Sequence, residues 1–184
     1  MPDHLAVIYN PFSRKNLKNG PREIQSIQAL PGVLFFAPDT DAALQAVIEE
    51  LRTHTLSCIV VDGGDGTVGK VLSALHVSGW PADTWPPVAV IPSGNTNLIA
   101  ADVGYGRRGV DAFRSLQTER QNGQAIPKIK PRRPPVVQRT GSDQAAVLGF
   151  FGAMGAAGRG IGIAHPPAVP KRHARDIALV ATLL

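Results

Sequence analysis

The run Ile59-Val60-Val61-Asp62-Gly63-Gly64-Asp65-Gly66-Thr67 constrains this chain more than any other segment. The apolar stretch from Cys58 to Val61 has the length of a buried strand and is too short for a buried helix. The glycines that follow permit positive φ and let backbone N–H groups approach an anion closely. From Val68 to Val77 apolar residues recur at helical spacing, and Thr67 is placed to cap that helix. A strand, a glycine turn and a helix N-terminus in succession aim the positive end of the helix dipole at whatever occupies the turn. A phosphate is the natural occupant. Asp65 would not touch it directly, since like charges repel. It would act through a Mg²⁺ ion, a ribose hydroxyl or the proton of a substrate hydroxyl.

An ordinary strand-to-helix turn can also need glycines for steric reasons alone, so the neighbouring loops decide. Leu5 to Tyr9 reads as a first strand, closed by Asn10-Pro11, and Pro21 to Leu30 as a helix with Ile24, Ile27 and Leu30 at helical spacing. Val33 to Phe36 is the second strand and Asp41 to Arg52 the second helix. Cys58 to Val61 is the third strand, Val88 to Ile91 the fourth, Leu98 to Val103 a short helix, and Val110 to Leu116 one more. Such alternation implies an α/β fold, a Rossmann-like parallel sheet with helices on both faces. Ligands of such sheets bind at the carboxyl ends of the strands. Three polar loops share that edge: Gly63 to Thr67, the loop Ser93-Gly94-Asn95-Thr96-Asn97 after the fourth strand, and Asn10-Pro11-Phe12-Ser13-Arg14-Lys15 after the first. The last adds a hydroxyl and two cations suited to phosphate oxygens.

With 184 residues there is room for one full domain and part of another. The charge is divided unevenly. Residues 1–119 carry 9 basic and 12 acidic side chains, while residues 120–184 carry 10 and 2. Ile126 to Pro135 is basic and proline-rich, and Val136-Val137 and Val147 to Phe151 read as strands, so a nucleotide-binding α/β domain over 1–122 is expected to give way to a β-rich second domain over 123–184. The terminal stretch Arg172 to Leu184 reads as an amphipathic helix without a cap, as though that second domain were incomplete.

The only cysteine, Cys58, excludes an internal disulfide and reads as a buried core thiol. The longest uncharged apolar stretch, Ala145 to Gly158, falls short of the ~20 residues a membrane-spanning helix needs. A soluble, cytoplasmic protein is expected. Its basic second half could meet an anionic membrane surface peripherally; nucleic acid is disfavoured because no recognition motif accompanies the charge. Trp80 and Trp85 lie in a proline-rich loop and read as packing residues, and the five histidines have no metal-ligand spacing.

Through Asn10 to Ser13 (Asn-Pro-x-Ser), Gly63 to Thr67 (Gly-Gly-Asp-Gly-Thr) and Pro92 to Asn97 (Pro-x-Gly-x-x-Asn), residues 5–125 resemble the catalytic domain of the diacylglycerol kinase and sphingosine kinase family, in the superfamily that also holds NAD kinases. The resemblance implies transfer of the γ-phosphoryl group of ATP to a lipid hydroxyl with Mg²⁺. ATP would be held between an α/β domain and a β-rich domain. Carried onto this chain, it makes Asn10, Ser13, Arg14, Gly63, Gly64, Gly66, Thr67, Gly94, Asn95, Thr96 and Asn97 the nucleotide-site candidates, and Asp65 the catalytic and metal-binding candidate. Leu98 stands where the family often has an aspartate. Gly155-Ala156-Ala157-Gly158 has Ala157 where a Gly-x-Asp-Ala element would supply an acid. Two alternatives follow: an NAD kinase-like enzyme, whose downstream NAD motifs are not found here, or a nucleotide-binding module without catalysis. Homodimerisation is left open.

Overall fold

The computed structural model describes residues 4–103, 105–107, 109–122, 130–138 and 145–150. Its centre is a four-stranded, all-parallel sheet in the order β2-β1-β3-β4, built from β1 (His4–Tyr9), β2 (Val33–Phe36), β3 (Leu56–Gly63) and β4 (Val88–Pro92). β1 and β3 are the inner strands, and nearly every side chain from Leu5 to Tyr9 and from Cys58 to Val61 is fully buried. This is why both read as continuous apolar runs rather than as alternating ones.

Helices cover the two faces. On one, α2 (Asp41–Leu51), α3 (Asp65–Val77) and α4 (Leu98–Val103) bury Ile48, Leu51, Val71 and Leu75 against Ala6, Ile8, Ile59, Val61 and Val90. On the other, α1 (Pro21–Gln28) and α5 (Gly109–Gln121) bring Ile27, Phe113 and Leu116 onto Leu5, Val7, Val60 and Ile91. Local signals set the helix ends. Pro21 opens α1 where no amide partner is needed, Thr40 Oγ1 accepts from Ala43 N at 3.1 Å to cap α2, and Gly79 follows α3 at a φ of 70°.

A short antiparallel pair, β5 (Val136–Val137) with β6 (Val147–Leu148), follows the α/β part. It is fastened to α3 by Leu148 N donating to Ser73 Oγ at 2.8 Å, with the Leu148 side chain buried in the first core. The expected helix over 172–184 and the Gly155–Gly158 element lie outside the described residues. Trp80 and Trp85 pack against the α2–α3 side of the core, and Trp85 Nε1 donates to Trp80 O at 2.8 Å.

The start of the third helix differs from its expected position. The third helix begins at Asp65 rather than Val68, with Gly64 in the cap position and no side chain capping it. Thr67 therefore lies inside the first turn, its amide donating to Gly64 O at 2.9 Å. Glycine at the cap and the small residues beyond it let the chain turn from strand to helix within one residue, which apolar periodicity alone could not register.

Candidate functional site

The strand register places the three loops side by side. Tyr9 pairs with Asp62 and Gly63 with Pro92, so Asn10, Gly64 and Ser93 leave the sheet at the same edge. Two glycines make the second and third loops fit together. A Cβ on Gly94 would stand 2.5 Å from Gly64 Cα, and one on Gly64 would stand 3.1 Å from Gly94 Cα. Only a pair of residues without side chains allows these backbones to cross so closely. Gly63 is confined too, since a Cβ there would lie 2.6 Å from Thr67 Oγ1.

Gly66 differs from these three. It is exposed in the first turn of α3, its φ is not positive, and nothing lies within 4 Å of where a Cβ would be. The fold makes no demand for glycine there, and alanine would suit a helix better. Space kept open at a helix N-terminus is what an approaching anion uses.

Around that opening the first loop is held by its own asparagine. Asn10 Oδ1 accepts from Phe12 N at 2.9 Å, and Asn10 Nδ2 donates to Thr67 Oγ1 at 2.7 Å, joining the first loop to the first turn of α3. Ser13 is buried, with its main chain bonded to Asn10 and Leu17, so its hydroxyl is not displayed at the surface. Arg14 is exposed. In the third loop Asn97 adopts a φ of 55° and closes on Gly94 in both directions, Gly94 N to Asn97 Oδ1 and Asn97 Nδ2 to Gly94 O, each 2.8 Å. This tight closure leaves Asn95 and Thr96 exposed at the tip.

Asp65 has a structural task. Its carboxylate accepts from Leu98 N at 3.0 Å and from Ile99 N at 2.9 Å, so it caps α4 from another element. Asn97, a natural candidate for that cap, is occupied with Gly94. Leu98 contributes its amide at this position and exposes its side chain. Each Asp65 oxygen keeps lone-pair capacity beyond these bonds. Asp65 is also the one carboxylate within the three loops. Magnesium is commonly held by one or two carboxylates together with substrate phosphates, and Asp65 fits that pattern on the protein's side. Among the described residues no group of three or more histidine, cysteine or acidic side chains is arranged to hold a metal by itself.

Behind the loops lies a cluster that motif reading passes over. Asp62, 2% exposed, accepts from Ser93 Oγ in a very short contact and from Asn16 Nδ2 at 3.1 Å. Burial pushes its carboxyl above the usual range, and the Ser93 and Asn16 hydrogen bonds oppose that shift. Lys15 spans the same region, its amide donating to Ser93 O at 3.0 Å and its ammonium to Pro92 O at 2.6 Å. The available signal was an acid closing an otherwise apolar strand.

A cavity of about 590 Å³ opens elsewhere, along β4 and α4, with Val68, Leu72, Val90, Ile99, Val103 and Phe150 in its walls. None of the loop residues lines it. Of its basic members Arg107, Lys130 and Arg132, the last two are engaged by Asp102, whose carboxyl the Arg132 guanidinium holds below its ordinary range. The cavity wall is mainly apolar, whereas the exposed polar groups of the three loops and the start of α3 lie together at the sheet edge.

Over 86 residues, 47% of this chain and 8% of the other, the sequence is 40% identical to a Caenorhabditis elegans protein provisionally named a diacylglycerol kinase. Among solved structures, a diacylglycerol kinase from Bacillus anthracis strain Sterne aligns with a TM-score of 0.48 at 21% identity, over 64% of this chain and 44% of that one. A second structure from the same organism aligns with a TM-score of 0.49 at 20% identity, over 64% and 42%. The chain thus spans less than half the length of the relatives it matches. The family model of the diacylglycerol kinase catalytic domain matches residues 4–126, the whole α/β part and all three loops, and the chain belongs to that family.

Proposed function

We propose that this chain carries the nucleotide-binding part of an ATP-dependent lipid kinase. The observation that carries the reading is Gly66, an open glycine the fold does not need, at the head of α3 between two loops of the same sheet edge. A nucleotide phosphate would meet the first-turn amides of α3 and the positive end of its dipole. Arg14 adds an exposed cation from one side, and Asn95 and Thr96 add polar groups from the other. The Asn10–Thr67 bond fixes the first loop against the turn. Asp65 would hold a phosphate-bound Mg²⁺ through the lone pairs left after capping α4. ATP would supply the transferable γ-phosphoryl group, Mg²⁺ would neutralise part of its charge, and the chain would position it. Phosphoryl transfer depends mainly on such positioning and on charge stabilisation. The acceptor is a lipid hydroxyl, presented at a membrane surface that the basic residues beyond 120 approach peripherally. Among the described residues no helix is long and apolar enough to cross a membrane.

The test uses the full chain, labelled ATP, Mg²⁺ and vesicles containing diacylglycerol or a long-chain amino alcohol, with Gly66→Ala as the control. Asp65→Ala is less informative because it also uncaps α4. Wild type should bind ATP and label a lipid. Gly66→Ala should fold normally and lose nucleotide affinity on the order of tenfold, since a methyl group would occupy the oxygen's approach, roughly the worth of one charge-assisted hydrogen bond. Equal ATP binding by the two proteins would remove the phosphate from this turn. Binding of ATP without labelling of any lipid would leave a nucleotide-binding module.

A further inference from the structure

The buried carboxylate of Asp62 is not required by the packing around it. Its neighbours Val61 and Ile91 are fully buried apolar residues, and an apolar residue at 62 would fill the same position without the desolvation a carboxylate suffers. What this carboxylate does is join loops. Its oxygen Oδ1 receives Ser93 Oγ from the third loop and Asn16 Nδ2 from the end of the first, while its main-chain oxygen receives Asn10 N at 2.9 Å. Asn16 Nδ2 also reaches Asn10 O at 3.0 Å, closing the first loop on itself. Lys15 bonds Ser93 O and Pro92 O, and its charge favours the ionised form of Asp62.

We infer that Asp62 is a positioning residue that locks the loops following β1 and β4 into one arrangement, so that Arg14, Asn95 and Thr96 are held in place before a nucleotide arrives. The inference builds on the phosphate site proposed above, but the lock itself is a property of the free protein. At 2% exposure Asp62 touches neither nucleotide nor metal. It acts through Ser93, Asn16 and Lys15. Loops fixed in advance spare a ligand the entropy of ordering them, and this is how a residue behind a site raises affinity. Asparagine in its place keeps an oxygen for Ser93 and Asn16, whereas alanine removes the acceptor of Ser93 Oγ and leaves Asn16 Nδ2 only its bond to Asn10 O within the first loop.

The experiment compares wild type, Asp62→Asn, Asp62→Ala and Ser93→Ala by amide hydrogen exchange without nucleotide and by ATP titration with Mg²⁺. In Asp62→Ala, exchange should quicken in residues 10–16 and in 93–97 together, on the order of tenfold for one lost hydrogen bond to a charged group. α1, α2 and β2 should be unchanged. ATP affinity should fall by a similar factor and recover most of it in Asp62→Asn. Should Asp62→Ala not fold, Ser93→Ala carries the test, quickening exchange in 93–97 and weakening ATP by several-fold. Uniform quickening over the whole chain, or loop exchange at the wild-type rate, would overturn the lock and leave Asp62 a core residue. Loop loosening in a protein that binds no ATP would uphold the lock and sink the nucleotide site instead.

Discussion

Replacing Asp65 by alanine separates a carboxylate that holds structure from one that serves only chemistry. The carboxylate accepts from Leu98 N at 3.0 Å and from Ile99 N at 2.9 Å. A buried hydrogen bond to a charged group contributes about 1.5–3 kcal/mol, and partial exposure here reduces each to about 1, or about 2 kcal/mol together. α4 has six residues, too few to persist without its cap and its contacts. For a domain of this size about 1 kcal/mol lowers Tm by roughly 2–4 °C, so Asp65→Ala should melt about 4–8 °C below wild type. The loss should be local, with amides 98–103 exchanging faster and β1 and β3 unchanged. Asp65→Asn should recover less than half, because its amide group turns a donor toward one of the two N–H groups. Calorimetry with hydrogen exchange reads both effects. If Asp65→Ala keeps the wild-type Tm and the wild-type exchange over 98–103 while phosphoryl transfer disappears, the capping account is wrong and Asp65 is purely a chemical group.

Gly94→Ala and Gly66→Ala should move stability in opposite directions. The first forces a Cβ to 2.5 Å from Gly64 Cα and should lower urea-unfolding stability by about 1–3 kcal/mol, while the second enters open space in a helical turn and should be neutral or stabilising by up to about 1 kcal/mol. Equal effects would show that the two backbones do not cross closely. Because burial raises the Asp62 carboxyl above its unfolded value of about 3.9, the folded protein binds the extra proton between those two values, and stability falls as pH rises through that window. Lys15 opposes the shift and Glu23 adds to it, and comparing wild type with Asp62→Asn reads the contribution of the Asp62 carboxyl. That difference should favour wild type more at pH 4 than at pH 7, and a flat difference would deny the burial effect. Burial pushes the Cys58 thiol up to about 12, so a thiol reagent should label it at neutral pH only at the rate of unfolding. Rapid labelling of the folded protein would contradict a closed core there.

Much of the sheet is legible because its inner strands β1 and β3 are largely buried and its helices cover both faces, so apolar runs and burial report the same thing. β2 matches its expected bounds, and so does α4. Where the sequence reading erred, at the start of α3, the determinant was backbone conformation around Gly64, which leaves no periodic trace. The reading of α5 stopped at Leu116 for a related reason. The helix continues to Gln121 through a polar stretch, with Gln117 buried and bonded to Pro31 O at 2.9 Å, a contact between residues 86 positions apart.

The site divides along the same line. Glycines, asparagines and a lone carboxylate mark out the three loops of one sheet edge because their chemistry is local to each loop. How the loops hold one another is not local, and the motifs mislead there. Thr67 reads as a cap and is instead the acceptor for Asn10, and Asn97, whose side chain would suit a cap for α4, is the clasp on Gly94. The capping falls to Asp65, which arrives from the neighbouring loop. Each exchange puts a polar group of one loop to work in another, and Asp62 does so for two loops at once. An edge made of three separate loops has no single backbone to keep it rigid. Its rigidity has to come from such crossings, and residues 62 and 93, which lie outside the glycine turn and the polar loop tip, are therefore where its geometry is set.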